Sequence, residues 1–439
     1  MKKNSRRAFI KKSILGISGA GLIIGNGSSL FARPSLDEHS KFKGKPDFPQ
    51  FKVKTLTHGP KHHFFGYYGV PPWNQSGKYM VCLESNFQDH LPASDEYALI
   101  GRVDPETGEF TAVGKTYAWN LQQGSLLHWN PLNPETEIIF NNRKQGRLVS
   151  TILDVETGDK RYLSRPISAV SRKSGHALSL TYGRLSRLRK VVGYGGAEDP
   201  NPHEPHPDND GVFLMDLVTG KTDLIISIGE VYRYAVKKYP VLKDRHMWFN
   251  HTVYNKSDSR FLFLARSWTS DKILDSAMYT VNIDGSDLKQ VTPWGGQVSH
   301  FDWRNDDEII ATFKLGDDVT KTHYLFNDGM NNYKQVGKGF IVGGGHCTFS
   351  PDQNWLTTDR THSSYFSKAL MLYNVKTKQS VLLGVFSLKE KLHLSGDLRC
   401  DLHPRWNRTG DAICFDALDT SDWTRQLHVV HLNLPENNL

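Results

Sequence analysis

The stretch Val253-Tyr254-Asn255, followed after a polar turn by RFLFLAR (260–266), decides the fold, because its pattern recurs along the chain. A short strand ends in an aromatic or apolar residue, a polar turn follows, and a second apolar strand comes next. The pattern is found at Pro72-Trp73-Asn74 before YMVCLES, His128-Trp129-Asn130 before EIIFNNR, and Ala169-Val170-Ser171 before HALSLTY. It returns at Phe301-Asp302-Trp303 before EIIATFK, Thr348-Phe349-Ser350 before WLTTDR, and Pro404-Arg405-Trp406 before AICFDAL. A unit repeated in this way cannot bury its apolar face alone and must stack on its neighbours. Asp104-Pro105-Glu106-Thr107-Gly108, Asp154-Val155-Glu156-Thr157-Gly158, Asp216-Leu217-Val218-Thr219-Gly220 and Asn282-Ile283-Asp284-Gly285 supply the turns that join outer strands. Successive anchors lie 56, 41, 84, 49, 46 and 57 residues apart, with one long insertion in the third unit. The reading is an all-β, seven-bladed β-propeller over residues 51–439. The lone strand within Phe51–Thr57 is expected to complete the last blade and leave no open sheet edge. Two β-sandwiches would leave the repeat unexplained, and no helix-period segment of useful length is expected after the N-terminal run.

The chain has 439 residues, of which 38% are hydrophobic and 23% charged, with four cysteines. That composition excludes a disordered chain, a disulfide-stapled miniprotein and a polytopic membrane protein. Residues Ser5-Arg6-Arg7-Ala8-Phe9-Ile10-Lys11, the uncharged run from Ser13 to Gly25 and a small-residue region ending near Ala32 form the pattern of a twin-arginine export signal over residues 1–32. A membrane anchor is the competing reading, but the run falls short of the ~20 residues that span a bilayer. Residues 33–50 then read as a linker, the destination is periplasmic or secreted, and no membrane span remains after the signal is removed. The signal holds six cations and no acid, so without it the net charge of +8 drops to +2 and the basicity that would suggest a nucleic-acid partner disappears. The spacings of Cys82, Cys347, Cys400 and Cys414 fit no zinc-ribbon pattern.

Three residues before the anchors of the last four repeats stand His251, His300, His346 and His403, where the first three repeats carry Val70, Leu126 and Ile167. Inner strands of a propeller line the central channel, so one register position lies at one height around the axis. Four imidazoles at that height suit a divalent metal, zinc first, with manganese or calcium as alternatives. Cys347 and Cys400 are near enough in sequence to add a thiolate, which would favour zinc. The competing reading is four core histidines bonded to neighbouring carbonyls.

Other groups suit a sugar polymer. His62-His63-Phe64-Phe65-Gly66-Tyr67-Tyr68 places His63 and Tyr67 in an aromatic run ahead of the first blade. Gln123 and Asn142 are expected to offer neutral hydrogen bonds at one end of the channel. Arg184, Arg187 and Arg189, with Tyr182, open the long insertion and would face a polyanion, since guanidinium pairs bidentately with carboxylate or sulfate. Strand alternation turns His128 away from the channel. Tyr232 follows the insertion as a further proton donor. No G-x-S-x-G, P-loop or dinucleotide fingerprint is present.

With HHFFGYYG, NLQQGS, LSLTYGRLSRLR, NHTVYN, SHFDW, GGHCTFSPD and CDLHPRW in this order, the chain resembles the seven-bladed propeller polysaccharide lyases of the ulvan-lyase type, and more distantly the oligogalacturonate lyases. The resemblance implies β-elimination on a uronate-containing anionic polysaccharide. It implies Arg184 as the group that neutralises the uronate carboxylate, and His251, His300, His346 and His403 as the metal cluster. Gln123, Asn142 and Ser168 stand where ulvan-cleaving members carry His and Tyr, and Gly69 where many relatives carry Asp. Tyr182, Tyr232, His63 and His128 are the substitutes for acid and base. A non-catalytic propeller that binds anionic glycans or a protein partner is the alternative.

Overall fold

The computed structural model describes residues 51–362 and 365–432. The export signal and linker assigned to residues 1–50 lie outside them. Seven four-stranded antiparallel sheets follow one another along the chain, each running from an inner to an outer strand. Blade one comprises His62–Phe64, Met80–Ser85, Ala98–Val103 and Phe110–Thr116, and blade four Trp248–Tyr254, Arg260–Trp268, Leu274–Asn282 and Lys289–Gln290. Blade seven takes Arg405–Trp406, Ala412–Leu418 and Arg425–His431 from the C-terminal region. Its outermost strand is Val53–Thr55, paired through Val53 with Val430 and Thr55 with His428. The expected ring closure is therefore present.

The repeat has a physical basis. Three anchor tryptophans donate their indole N–H to the preceding blade, Trp303 to Val253 O at 3.1 Å and Trp406 to Thr348 O at 3.4 Å on its inner strand, and Trp129 to Pro72 O at 2.7 Å in the segment that follows blade one's inner strand. Each ring packs its body in the core between blades and satisfies its one donor across the seam. The Asp-x-x-Thr-Gly turns work as read. At the first of them the Asp104 carboxylate accepts from the backbone N–H of Glu106 and Thr107, and Gly108 takes a φ of 78° that favours glycine.

Two helices depart from the expectation of none, Tyr182–Leu188 and Ile228–Val236. The second is closed at its start by a capping box, in which the Ser227 hydroxyl accepts from Glu230 N and the Glu230 carboxylate accepts from Ser227 N. Its nine residues are too few for a periodicity that dominates the strand pattern around them. Among the described residues no helix is long and apolar enough to cross a membrane.

Candidate active site at one mouth of the channel

The histidine register owes its direction to the backbone. His251 and His300 fall at the irregularities in the pairing of blades four and five, where the ladder passes from Asn250 to Thr252 and from Ser299 to Phe301. Each is the extra residue of a bulge and takes a positive φ, 56° and 40°, as His403 does at 46°. Such a conformation costs of order 1–3 kcal/mol for a residue other than glycine and is retained where a side chain must be re-aimed. Leu126, the register position in blade two, also has a positive φ, of 50°. The re-aimed backbone is thus shared by blades two, four, five and seven, whereas the imidazoles belong to one half of the ring.

Three of the four imidazoles form one cluster. The rings of His300 and His346 are 4.1 Å apart and those of His346 and His403 4.2 Å. His346 Nδ1 donates to Asp359 Oδ2 at 2.9 Å, which leaves Nε2 as a lone pair 4.0 Å from Asp401 Oδ2. Ligand atoms of His346, Asp401 and His403 all lie within 4.8 Å of one another. The buried Nδ1 atoms of His300 and His403 have no hydrogen-bond partner among the described residues. Burial, then the neighbouring His346, holds both rings well below the usual histidine range, so they are neutral with free lone pairs. Unbonded imidazole nitrogens beside a carboxylate, with a second carboxylate fixing one ring from behind, fit a divalent metal. Asp401 remains ionised. Burial pushes its pKa up, but Arg399, Lys368, His346 and His403 together hold it well below the usual range.

His251 is differently placed. Its Nδ1 accepts from the Tyr67 hydroxyl at 2.7 Å and from the Gln123 amide at 3.1 Å, so the neutral ring carries its proton on Nε2. Burial, then Arg266, keeps it neutral. Two glycines make this contact reachable. A Cβ on Gly66 would stand 2.2 Å from Gly124 N, and one on Gly124 would stand 2.4 Å from Phe65 O. The HHFFGYYG and QQG loops meet backbone to backbone there, and Asp416, paired with the buried Arg405, accepts from the N–H of Phe65 and Gly66. Tyr68 lies against His300, His346 and His403, and its hydroxyl bonds Phe301 O and N.

Around this cluster stand cations from different parts of the ring: Arg189 of the long insertion, Arg266 of blade four, Lys321 of blade five and Arg399 of the loop before blade seven. Arg266, buried, has its pKa pushed down to about 10 by burial and then by Arg189 and Arg399. Lys321 is pushed down to about 8 by burial and then by Arg266 and Lys314. Arg399 pairs with Asp401, whereas Arg266 has no ion pair with a described residue. Cations that depress one another around a partly desolvated mouth are arranged for an anion.

The remaining expectations divide. Arg189 belongs to the mouth, stacked over Trp268, and Tyr67 and Gln123 belong to it through His251. Arg184 does not. Its guanidinium is 1% exposed and is spent on Met247 O, Asn201 O, Glu204 O and Pro205 O, with Asp199 beside it, so it ties the insertion to blade four. Arg187 also pairs with Asp199. Tyr182 is a core residue stacked on Tyr194, with its hydroxyl donated to Ile167 O. Tyr232 stacks on His206 outside the sheets. His63 is taken by Gln426 and Glu84, and Asn142 by the backbone of Tyr117 and Lys115. His128, expected to turn away from the channel, instead lines its other end. Cys347 and Cys400 are buried thiols whose pKa burial pushes up, and Asp401 takes the place expected of a thiolate. Asp401, Arg266, Lys321 and Arg399 were not among the expected residues.

No family model and no curated relative matches the chain. Among solved structures it is similar to the oligogalacturonate lyase of Vibrio parahaemolyticus, at 14% identity and a TM-score of 0.59 over 88% of this chain and 94% of that one. It is also similar to an oligogalacturonate lyase in complex with manganese, at 14% identity and a TM-score of 0.63 over 87% of this chain and 93% of that one. The shared fold is the seven-bladed propeller.

Proposed function

We propose that the protein is a polysaccharide lyase that cleaves a uronate-containing anionic polysaccharide by β-elimination. The observation that carries this is the placing of Arg189, Arg266 and Arg399 around a cluster of neutral imidazoles and Asp401. A proton beside a carboxylate leaves only when charge on that carboxylate is neutralised, and the buried Arg266 with the half-buried Arg189 and Arg399 supplies that without reorganising. The similarity in fold to oligogalacturonate lyases supports the same class of substrate.

In this reading the arginines hold the uronate carboxylate at the mouth. Lys321 is the base. With a pKa near 8 it is the mouth cation best matched to proton transfer close to neutral pH. It takes the C5 proton, the C5–H electrons become the C4=C5 double bond, and the C4–O4 bond breaks. His251 gives its Nε2 proton to the departing O4, held in that tautomer by Gln123 and Tyr67. His300, His346, His403 and Asp401 would hold a divalent metal. Three nitrogens and a carboxylate oxygen suit manganese as well as zinc. Such an ion, when bound, supplies Lewis-acid neutralisation of a carboxylate.

The finer reading is an exported enzyme acting on an ulvan-like polymer, with the twin-arginine signal directing it to the periplasm or beyond. Purified protein is to be incubated with ulvan, pectate, oligogalacturonate and glycosaminoglycans while the ultraviolet absorbance of the unsaturated uronate is followed. A rise that depends on Arg266 supports the lyase. The second reading, a glycan-binding propeller without turnover, draws on Asn142, which is bound to backbone and stands where the resemblance places a His or Tyr in ulvan-cleaving relatives. Tight binding of a uronate polymer with no new absorbance would favour it.

A further inference from the structure

The opposite end of the channel carries a hollow that the proposed reaction does not use. Tyr67 and Tyr68 form the partition: one side touches the histidine cluster, and the other lines a cavity of about 250 Å³. Its walls include Val70, Leu126, Trp129, Tyr254 and Phe301. A second hollow of about 350 Å³ adjoins it, and the two share Arg172, Asp302 and Arg408. Volumes of this size lie at or below the small end of the ~300–1,000 Å³ usual for ligand pockets, so the fitting ligand is small.

The charge on this hollow is one-sided. Arg172 and Arg408 stand exposed at the rim and Lys256 is half-buried between them. Asp302 is the acid that lines it, and one of its oxygens already accepts from the Thr348 hydroxyl and Phe349 N. Its other oxygen lies 3.7 Å from Lys256 Nζ. Burial and then Arg172 lower the Lys256 pKa, with Asp302 opposing them, to about 8, and Arg172 depresses Arg408 after burial has done so. Glu135 acts on Arg408 and Asp306 on Lys256, but neither lines the hollow and they already accept from the N–H of Ser76 and Ser257, so among the groups that line it three cations face one engaged carboxylate.

A neutral acceptor faces the same space. His128 Nδ1 donates to Leu126 O at 2.7 Å, which fixes the tautomer and leaves Nε2 as an acceptor. Burial pushes this ring down to about 4, so it accepts rather than carries charge at neutral pH.

We infer that the far mouth of the channel is a second ligand site, which takes a small organic monocarboxylate with an apolar, ring-sized body and a hydroxyl group. The carboxylate meets Arg172, Arg408 and Lys256, the ring packs on the apolar walls, and the hydroxyl donates to His128 Nε2. The tyrosine partition separates this site from the mouth where uronate is proposed to bind, so the two sites are tested independently.

The probe is 4-hydroxybenzoate, titrated calorimetrically into the full chain, with 4-hydroxybenzamide as the uncharged comparison. The expected result is saturable binding of the acid, weakened about tenfold or more by the double change Arg172→Gln with Arg408→Gln, as for the loss of charge-assisted hydrogen bonds. Val70→Phe, which fills the cavity without touching a charge, is expected to abolish binding while thermal melting shows the fold intact. Arg266→Ala, at the other mouth, is expected to leave binding unchanged. No heat up to about 10 mM acid, where a Kd near 1 mM would show, overturns the inference. So does equal binding of the amide, or binding that survives both far-mouth variants.

Discussion

Blades four to seven and blades one to three are built on one repeat, yet the register position that faces the channel differs completely between them. In the first group it is His251, His300, His346 and His403, and in the second Val70, Leu126 and Ile167. The backbone does not follow this division, since Leu126 has the left-handed conformation of His251, His300 and His403, while His346 carries its imidazole without it. Half of the ring is spent on packing and half on chemistry. The apolar half supports the lining, and the polar half accepts strain, burial and lost hydrogen bonds in exchange for free imidazole nitrogens.

The largest test of that comparison is His403→Ala against Ile167→Ala. We expect His403→Ala to remove a stoichiometric divalent metal, measured by elemental analysis, and with it turnover. Ile167→Ala, at the same height in blade three, is expected to cost about 2–5 kcal/mol in a denaturant melt and to leave activity per folded molecule intact. Next in size is Arg266→Ala, expected to lower kcat/KM by about 10²- to 10³-fold, the usual cost of removing a donor aimed at developing charge. A smaller loss would move the carboxylate clamp onto Arg189 and Arg399. Asp359→Asn keeps the shape behind His346 but removes the charge that orients its ring, so metal affinity is expected to fall about 10–100-fold. Unchanged affinity would place His346 outside the ligand set.

The smallest effect concerns pH. Lys321 is cationic below its lowered pKa of about 8 and neutral above it. A base must be neutral, so kcat/KM is expected to fall about fivefold from pH 8 to pH 7 and to level off above about pH 9. Lys321→Arg, which stays charged throughout, is expected to lose activity at every pH. A profile that is flat between pH 7 and 9 would assign the base elsewhere.

Much of the fold could be read from the chain because the propeller is local. Each blade is a run of adjacent hairpins, and turns such as Asp104 to Gly108 declare themselves by residue type. The same locality made the histidine register visible. Arg189 was expected from the insertion, but the other cations were hidden for the opposite reason. Arg189, Arg266, Lys321 and Arg399 occupy unrelated positions in their repeats and meet only when the ring closes. Asp401 stands two residues from His403 and could have been found by asking what else faces the channel from CDLHPRW. Arg184 misled because a charged residue in a Tyr-Gly-Arg-Leu stretch reads as surface, whereas the backbone carbonyls that occupy it come from Asn201 to Pro205 and Met247, distant in sequence.

The most direct measurement is the ultraviolet progress curve of unsaturated uronate formation, run with wild-type protein, His403→Ala and Arg266→Ala on the panel of uronate polymers. The account predicts a rise on at least one polymer with the wild type and almost none with either variant, while all three melt cooperatively. A wild-type rise that persists in both variants, or no rise on any uronate polymer with metal-replete protein, would contradict it.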